Sequence, residues 1–202
     1  LLKIVRNDDV HDFDASVQVL FHRCLVQYGL LCFHKGRFQE CFDCLGEIFS
    51  SNLKPRELIG QSYRQHNALF LSVYAEKNID ERQERLRQLP YHMHINLESI
   101  EAVFFLVSFL FEIDNIQDGK KKTQGRGLKK AYEAMEKSMF SVPYLSQKDT
   151  IVSAVSQFLR CSWVELEKIL CTIKIWTNFP SQSKQVYFYS LKVQFARYFI
   201  QH

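Results

Sequence analysis

Apolar residues recur at steps of three and four along most of this chain, and no stretch alternates with period two for long enough to be a strand, which confines it to helices. Between Phe13 and Phe33, Val17, Leu20, Phe21, Cys24, Leu25, Tyr28, Leu31 and Cys32 draw one face of a helix. His34-Lys35-Gly36-Arg37 breaks the pattern. Phe38, Cys41, Phe42, Leu45, Ile48 and Phe49 then line a second helix that ends near Ser50-Ser51-Asn52. The pair reads as a helical hairpin closed by a Gly-containing turn. Only seven glycines and four prolines occur in 202 residues, about 5% against ~12% in average usage, too few for a turn-dense β-sandwich or a disordered linker.

The same reading extends down the chain. Glu57 to Glu76 is amphipathic, Asp80 to Leu89 is charged, and Pro90 interrupts. Ile95 to Ile113 is apolar nearly all round, so this helix has to be buried on most sides. Leu128 to Phe140 is helical up to the breaker Pro143, and Ser146-Gln147-Lys148-Asp149 resembles a capping box. Asp149 to Leu159, the turn Arg160-Cys161-Ser162, and Trp163 to Ile173 repeat the hairpin theme, and Ser183 to Ile200 is a last long helix. Gly29, Gly36, Phe38, Cys41, Leu45 and Ile48 fall near the small and large slots of a tetratricopeptide repeat, Cys41 taking the small slot where helices touch. The expected fold is all-α, a right-handed helical solenoid of tetratricopeptide-like hairpins. Residues 1–202 are read as one helical-repeat region: a hairpin over 13–52, central helices over 57–113, a basic loop over 118–127 and further helices over 128–202.

Composition excludes several classes. The net charge of +4 is mild for a protein that binds nucleic acid over its whole surface. Mean hydropathy of −0.19 predicts a soluble chain. The longest apolar run, Ala102 to Phe111, falls short of the ~20 residues of a membrane span. Six cysteines, mostly inside apolar helical patterns, are expected as free thiols in a reducing compartment rather than as a secreted disulfide framework. No signal peptide and no Met opens the sequence, so a cytoplasmic fragment of a longer chain is expected.

Catalytic and metal chemistry find little support. There is no Walker loop, GxGxxG, HExxH or GxSxG. Cys41-x-x-Cys44, with Cys32 and His34 nearby, offers zinc-type ligands, but one such motif without a second is better read as core packing. His92-Met93-His94 could bind a metal only if extended, and it reads more simply as packing and capping for the helix after it. Glu98 and Glu101, at i and i+3, are expected to accept bonds from a neighbouring helix or turn rather than to work as paired acids. No catalytic residue, metal ligand or cofactor site is therefore assigned. Lys120, Lys121, Lys122, Arg126, Lys129 and Lys130 place six cations within eleven residues without an acid. Either they form a solvated loop or they contact RNA phosphates, and the absence of interleaved aromatics speaks against base readout.

One segment carries a family resemblance. Leu89-Pro90-Tyr91-His92-Met93-His94-Ile95-Asn96-Leu97-Glu98 closely resembles the (V/L)P(F/Y)H(L/M)HINLE stretch of the c-subunit of eukaryotic translation initiation factor three. Glu57-Leu58-Ile59-Gly60-Gln61 is similar to that family's ELLGQ, and Lys174-Ile175-Trp176-Thr177-Asn178-Phe179-Pro180 to its KVWDLFP, in the same order. Arg160-Cys161-Ser162-Trp163 stands where the family tends to have a Gly-Asp-Trp turn. The resemblance implies the helical part of a PCI domain, without its winged helix, in a non-catalytic scaffold of the initiation factor three complex. It implies other subunits (the a-subunit above all), the small ribosomal subunit and its RNA as partners, and no membrane. Pro90, His92, His94, Ile95, Asn96, Leu97 and Glu98 are its structural signature. A PCI scaffold of the proteasome lid or signalosome, or an RNA-binding helical-repeat protein, is the alternative.

Overall fold

A computed structural model of the chain describes residues 10, 13–51, 54–61, 89–117, 128, 131–133 and 146–201. These residues are helical with connecting turns and contain no strand. In chain order the helices are α1 (Ala15–His34), α2 (Phe38–Ser50), α3 (Pro55–Leu58), α4 (Leu97–Gln117), α5 (Gln147–Leu159), α6 (Trp163–Cys171) and α7 (Ser181–Gln201). Short 3-10 turns span Tyr91–Met93 and Lys174–Thr177. Most of the helices expected over Glu57–Glu76, Asp80–Leu89 and Leu128–Phe140 lies outside the described residues.

The chain divides into two compact units, Leu1–Tyr28 with Glu47–Leu97, and Gly29–Gly46 with Glu98–His202. The first unit buries Val19, Leu25, Val26, Ile48, Leu58 and Ile59.

In the second unit, α4 is the most enclosed element: nine consecutive residues, Ala102–Leu110, are buried. The stretch Tyr91–Glu112, most of it in α4, is long and apolar enough to cross a membrane, and the burial of Ala102–Leu110 within the protein fits a core helix. An aromatic cluster surrounds Phe33, with ring centroids at 5.1 Å to Phe179, 5.7 Å to Phe38, 6.1 Å to Tyr187 and 6.3 Å to Trp176. Tyr187, fully buried, donates its hydroxyl to the Leu106 carbonyl at 3.0 Å, so the polar end of the ring is satisfied where its body is packed. Ser183 of α7 donates to the His34 carbonyl at 3.1 Å. That bond uses its only proton, so the 3.1 Å contact with His34 Nδ1 has the imidazole as donor.

Three helices stop in the same way. In each, the amide two residues past the C-cap donates back to the third-last helical carbonyl: Arg37 to Cys32 at 2.9 Å, Gln61 to Arg56 at 2.8 Å and Ser162 to Gln157 at 3.0 Å. This Schellman closure needs a residue in the left-handed region. Gly36 and Gly60 supply it at φ +73° and +72°, whereas the third position holds Cys161 at φ 55°. Cys161→Gly is therefore expected to stabilise the second unit by about 0.5–1 kcal/mol, since relief of the Cβ clash outweighs the added chain entropy. A higher thermal midpoint checks it, and an unchanged or lower one would show that the turn holds Cys161 without strain.

Ser146 caps α5 as its sequence predicts, with the Asp149 amide donating to Ser146 Oγ at 3.2 Å. The interior face of α1 differs from the periodicity reading. Leu25 and Cys32 are buried as expected, but Val17, Leu20, Cys24 and Leu31 are exposed, and Val19, Val26 and Phe33 are buried instead. Apolar residues occur on nearly every side of this helix, so spacing alone could not choose among its faces.

Burial also fixes two titrating groups. It pushes the Tyr187 phenol well above its usual range, and the Cys41 thiol likewise, with Cys32 and Cys44 nearby adding to the rise. A folded-state pKa above the unfolded value means the stabilising contribution is complete below the unfolded pKa and is lost as pH rises past it. Stability should therefore fall from about pH 9 upward, by up to ~1.4 kcal/mol per pH unit for each group. Chemical denaturation between pH 8 and 11 checks this: Tyr187→Phe should flatten the slope above pH 10, and an unchanged slope would refute the assignment.

Candidate interaction surface

The signature segment is built into the first unit through its backbone. Pro90 caps the 3-10 turn Tyr91–Met93, its fixed φ suiting a turn entry. Three tethers hold the segment in place. Arg23 of α1 donates from Nη2 to the Met93 carbonyl at 2.7 Å. The Leu89 amide donates to the Gly60 carbonyl at 3.0 Å, and Gln61 Nε2 donates to the Ile95 carbonyl at 3.1 Å. A fourth contact is internal, between His94 Nε2 and the Leu89 carbonyl at 3.0 Å. The Tyr91 and His94 rings lie 5.3 Å apart.

With the backbone turned inward, the side chains face solvent. Tyr91 is 87% exposed, and His92, Met93 and His94 are exposed as well. Ile95 and Leu97 are half-buried, Pro90 and Asn96 are exposed, and Glu98 is exposed in the first turn of α4. The result is a pinned loop with an aromatic and imidazole surface, suited to contact by shape and hydrogen bonding rather than to covalent chemistry. Arg23→Ala should release it, at a cost of about 1.5–3 kcal/mol for a charge-assisted bond. Faster amide exchange at Met93 and His94 checks that outcome, and unaltered protection would show that Gly60 and Gln61 suffice.

The other sequence candidates have different surroundings. Cys41 is buried in α2 and Cys44 is half-buried, and all six cysteines are free thiols. Among the described residues no group of three His, Cys, Asp or Glu could hold a metal ion. Glu101 pairs with Lys148 of α5 at 3.2 Å, which is the neighbouring-helix partner expected of it. Lys120, Lys121, Lys122, Arg126, Lys129 and Lys130 lie outside the described residues. Sequence reasoning missed Arg23 as an anchor, because it stands 70 residues from Met93. The Gly60 and Gln61 tethers had a signal: both belong to Glu57–Gln61, which shares a family resemblance with the segment they hold. The third resembling stretch is structural within the second unit, where Trp176 Nε1 donates to the Leu170 carbonyl at 2.7 Å and the Ile175 amide to Gln147 Oε1 at 2.9 Å.

The described residues are thus all helical or turn, and they fix a surface turn by distant tethers. Comparison supplies the particular family: residues 1–121 match the family described as Eukaryotic translation initiation factor 3 subunit 8 N-terminus, and the chain belongs to it. This bears out the c-subunit resemblance. The chain is 35% identical over 182 residues to the C-subunit of eukaryotic translation initiation factor 3 from Meyerozyma guilliermondii, covering 87% of this chain and 21% of that protein. It is 33% identical to the protein of the same name from Debaryomyces hansenii and 34% to that from Candida albicans, each match covering 87% of this chain and 20% of the relative. The chain thus spans about a fifth of the length of these curated relatives.

Proposed function

We propose that this chain is the helical-repeat portion of a non-catalytic scaffold subunit of the initiation factor three complex, working in the cytoplasm. Its role is rigid placement, holding neighbouring subunits, the a-subunit above all, so that the complex binds the small ribosomal subunit and supports preinitiation assembly. Residues 1–202 would form one right-handed solenoid of tetratricopeptide-like hairpins, the helical part of a PCI domain. The observation that carries this reading is the Tyr91–His94 turn: family membership is joined to a segment whose backbone is tethered and whose side chains are exposed.

The test is a tagged pull-down of the full-length parent protein from its own cells, with mass spectrometry and gradient sedimentation of the eluate. Initiation factor three subunits travelling with small ribosomal subunits are expected. Proteasome-lid or signalosome subunits, or RNA without initiation factors, would overturn the proposal. Within the same reading, Lys120, Lys121, Lys122, Arg126, Lys129 and Lys130 contact ribosomal RNA phosphates. Neutralising Lys120, Lys121 and Lys122 should then weaken binding and flatten its salt dependence.

A further inference from the structure

Helix α7 carries a second surface, unrelated to the signature turn. From Lys168 to His202 the sequence contains five Lys or Arg and no Asp or Glu. Within α7, Val186, Tyr189, Val193, Ala196 and Ile200 follow steps of three, four, three and four, and all are exposed. Tyr189 is 72% exposed and Ile200 83%, whereas Val186 and Val193 are partly covered at 39% and 37%, Val186 by the Gly36 turn. In heptad terms Val186, Val193 and Ile200 occupy the a positions and Tyr189 and Ala196 the d positions, so every a position is β-branched. Lys192 then falls at g on one border of the stripe and Arg197 at e on the other, and both are exposed. Opposite this seam, α7 uses Tyr187, Leu191 and Tyr198 for the core.

The geometry points to α7 as a docking face for an amphipathic helix of a partner protein, apolar at its own a and d positions and acidic at e and g. Charge complementarity chooses this occupant. In a parallel pairing of two copies, g of one helix meets the following e of the other, which sets Lys192 against Arg197; antiparallel pairing sets each against its like. Both arrangements repel, so a second copy is disfavoured, whereas Glu or Asp at those positions would pair with both cations. RNA is a poorer fit, because Val186, Val193 and Ile200 have no role in phosphate contact or base stacking. The inference rests on the scaffold reading for where such a helix would come from.

The experiment uses the full-length protein and three labelled probes in fluorescence anisotropy. These are a synthetic three-heptad peptide with Ile and Leu at a and d and Glu at e and g, the same peptide with Lys at e and g, and oligouridylate. The Glu peptide should bind at least about tenfold more tightly than the Lys peptide. Lys192→Glu with Arg197→Glu should invert that preference. Lys192 also lies over the Trp163 ring, at 5.4 Å, so Arg197→Glu alone serves as the variant least able to disturb folding, and it should narrow the preference. Equal binding of the two peptides, or a preference untouched by either variant, would overturn the assignment. So would oligouridylate binding that depends on Lys192 and Arg197, or self-association of the protein removed by Tyr189→Glu. A failed peptide preference leaves the pull-down result standing, and a failed pull-down leaves the peptide preference standing, so the two inferences can fail separately.

Discussion

Leu106→Asp is expected to abolish the cooperative unfolding transition of the second unit. Leu106 is completely buried on α4, and its carbonyl accepts the Tyr187 hydroxyl. The substitution loses about 1.5–3 kcal/mol of side-chain burial and adds the several kcal/mol of burying a carboxylate. Single domains have about 5–15 kcal/mol in total, so the loss takes most or all of it. Val103→Asp, one turn earlier and equally buried, should behave alike. Circular dichroism and thermal melting decide the matter: a variant that melts like the parent would mean α4 is not the core of this unit.

The second large effect belongs to Phe33. Phe33→Ala removes the ring at the centre of the cluster with Phe38, Trp176, Phe179 and Tyr187 and should cost about 3–5 kcal/mol. Phe33→Leu, which keeps most of the volume, should cost roughly 1–2 kcal/mol, because the aromatic contacts go but no large cavity opens. Trp176 reports directly, since its indole lies 6.3 Å from Phe33 and its emission should shift as water enters. Equal losses for Ala and Leu would point to ring geometry rather than volume as the source of stability.

Much of this was legible in the residues. The amphipathic pattern of α2 placed Phe38, Cys41, Phe42, Leu45 and Ile48 on the face that is in fact buried, because its polar residues are segregated to the other side. Ser146 announced the start of α5 through its own side chain, and Gly36 the end of α1. Caps and turns are local, so their determinants lie within a few residues and can be read off. The signature turn was legible only as a pattern. Gly60 and Gln61 were marked only as part of a resembling segment, and that Arg23 holds the Met93 carbonyl could not be read at all, because backbone hydrogen-bonding groups carry no sequence label and the partners are 29 to 70 residues away.

The sequence by itself determined the helical class, the buried spine of α4, the Gly36 turn and the family. Each rests on spacing, on a side chain acting on its own neighbourhood, or on a contiguous motif. The Gly60 turn, by contrast, ends α3 at Leu58 inside a stretch whose periodicity reads as one helix from Glu57 to Glu76. Tertiary structure alone decided which face of α1 turns inward, since apolar residues on nearly all sides leave the choice to whatever packs against it. It also decided that Cys161 takes a left-handed turn position and that α7 divides its apolar residues between a buried set and an exposed stripe. For such faces the free energy is set by the surface that covers them, and that surface is brought from elsewhere in the chain.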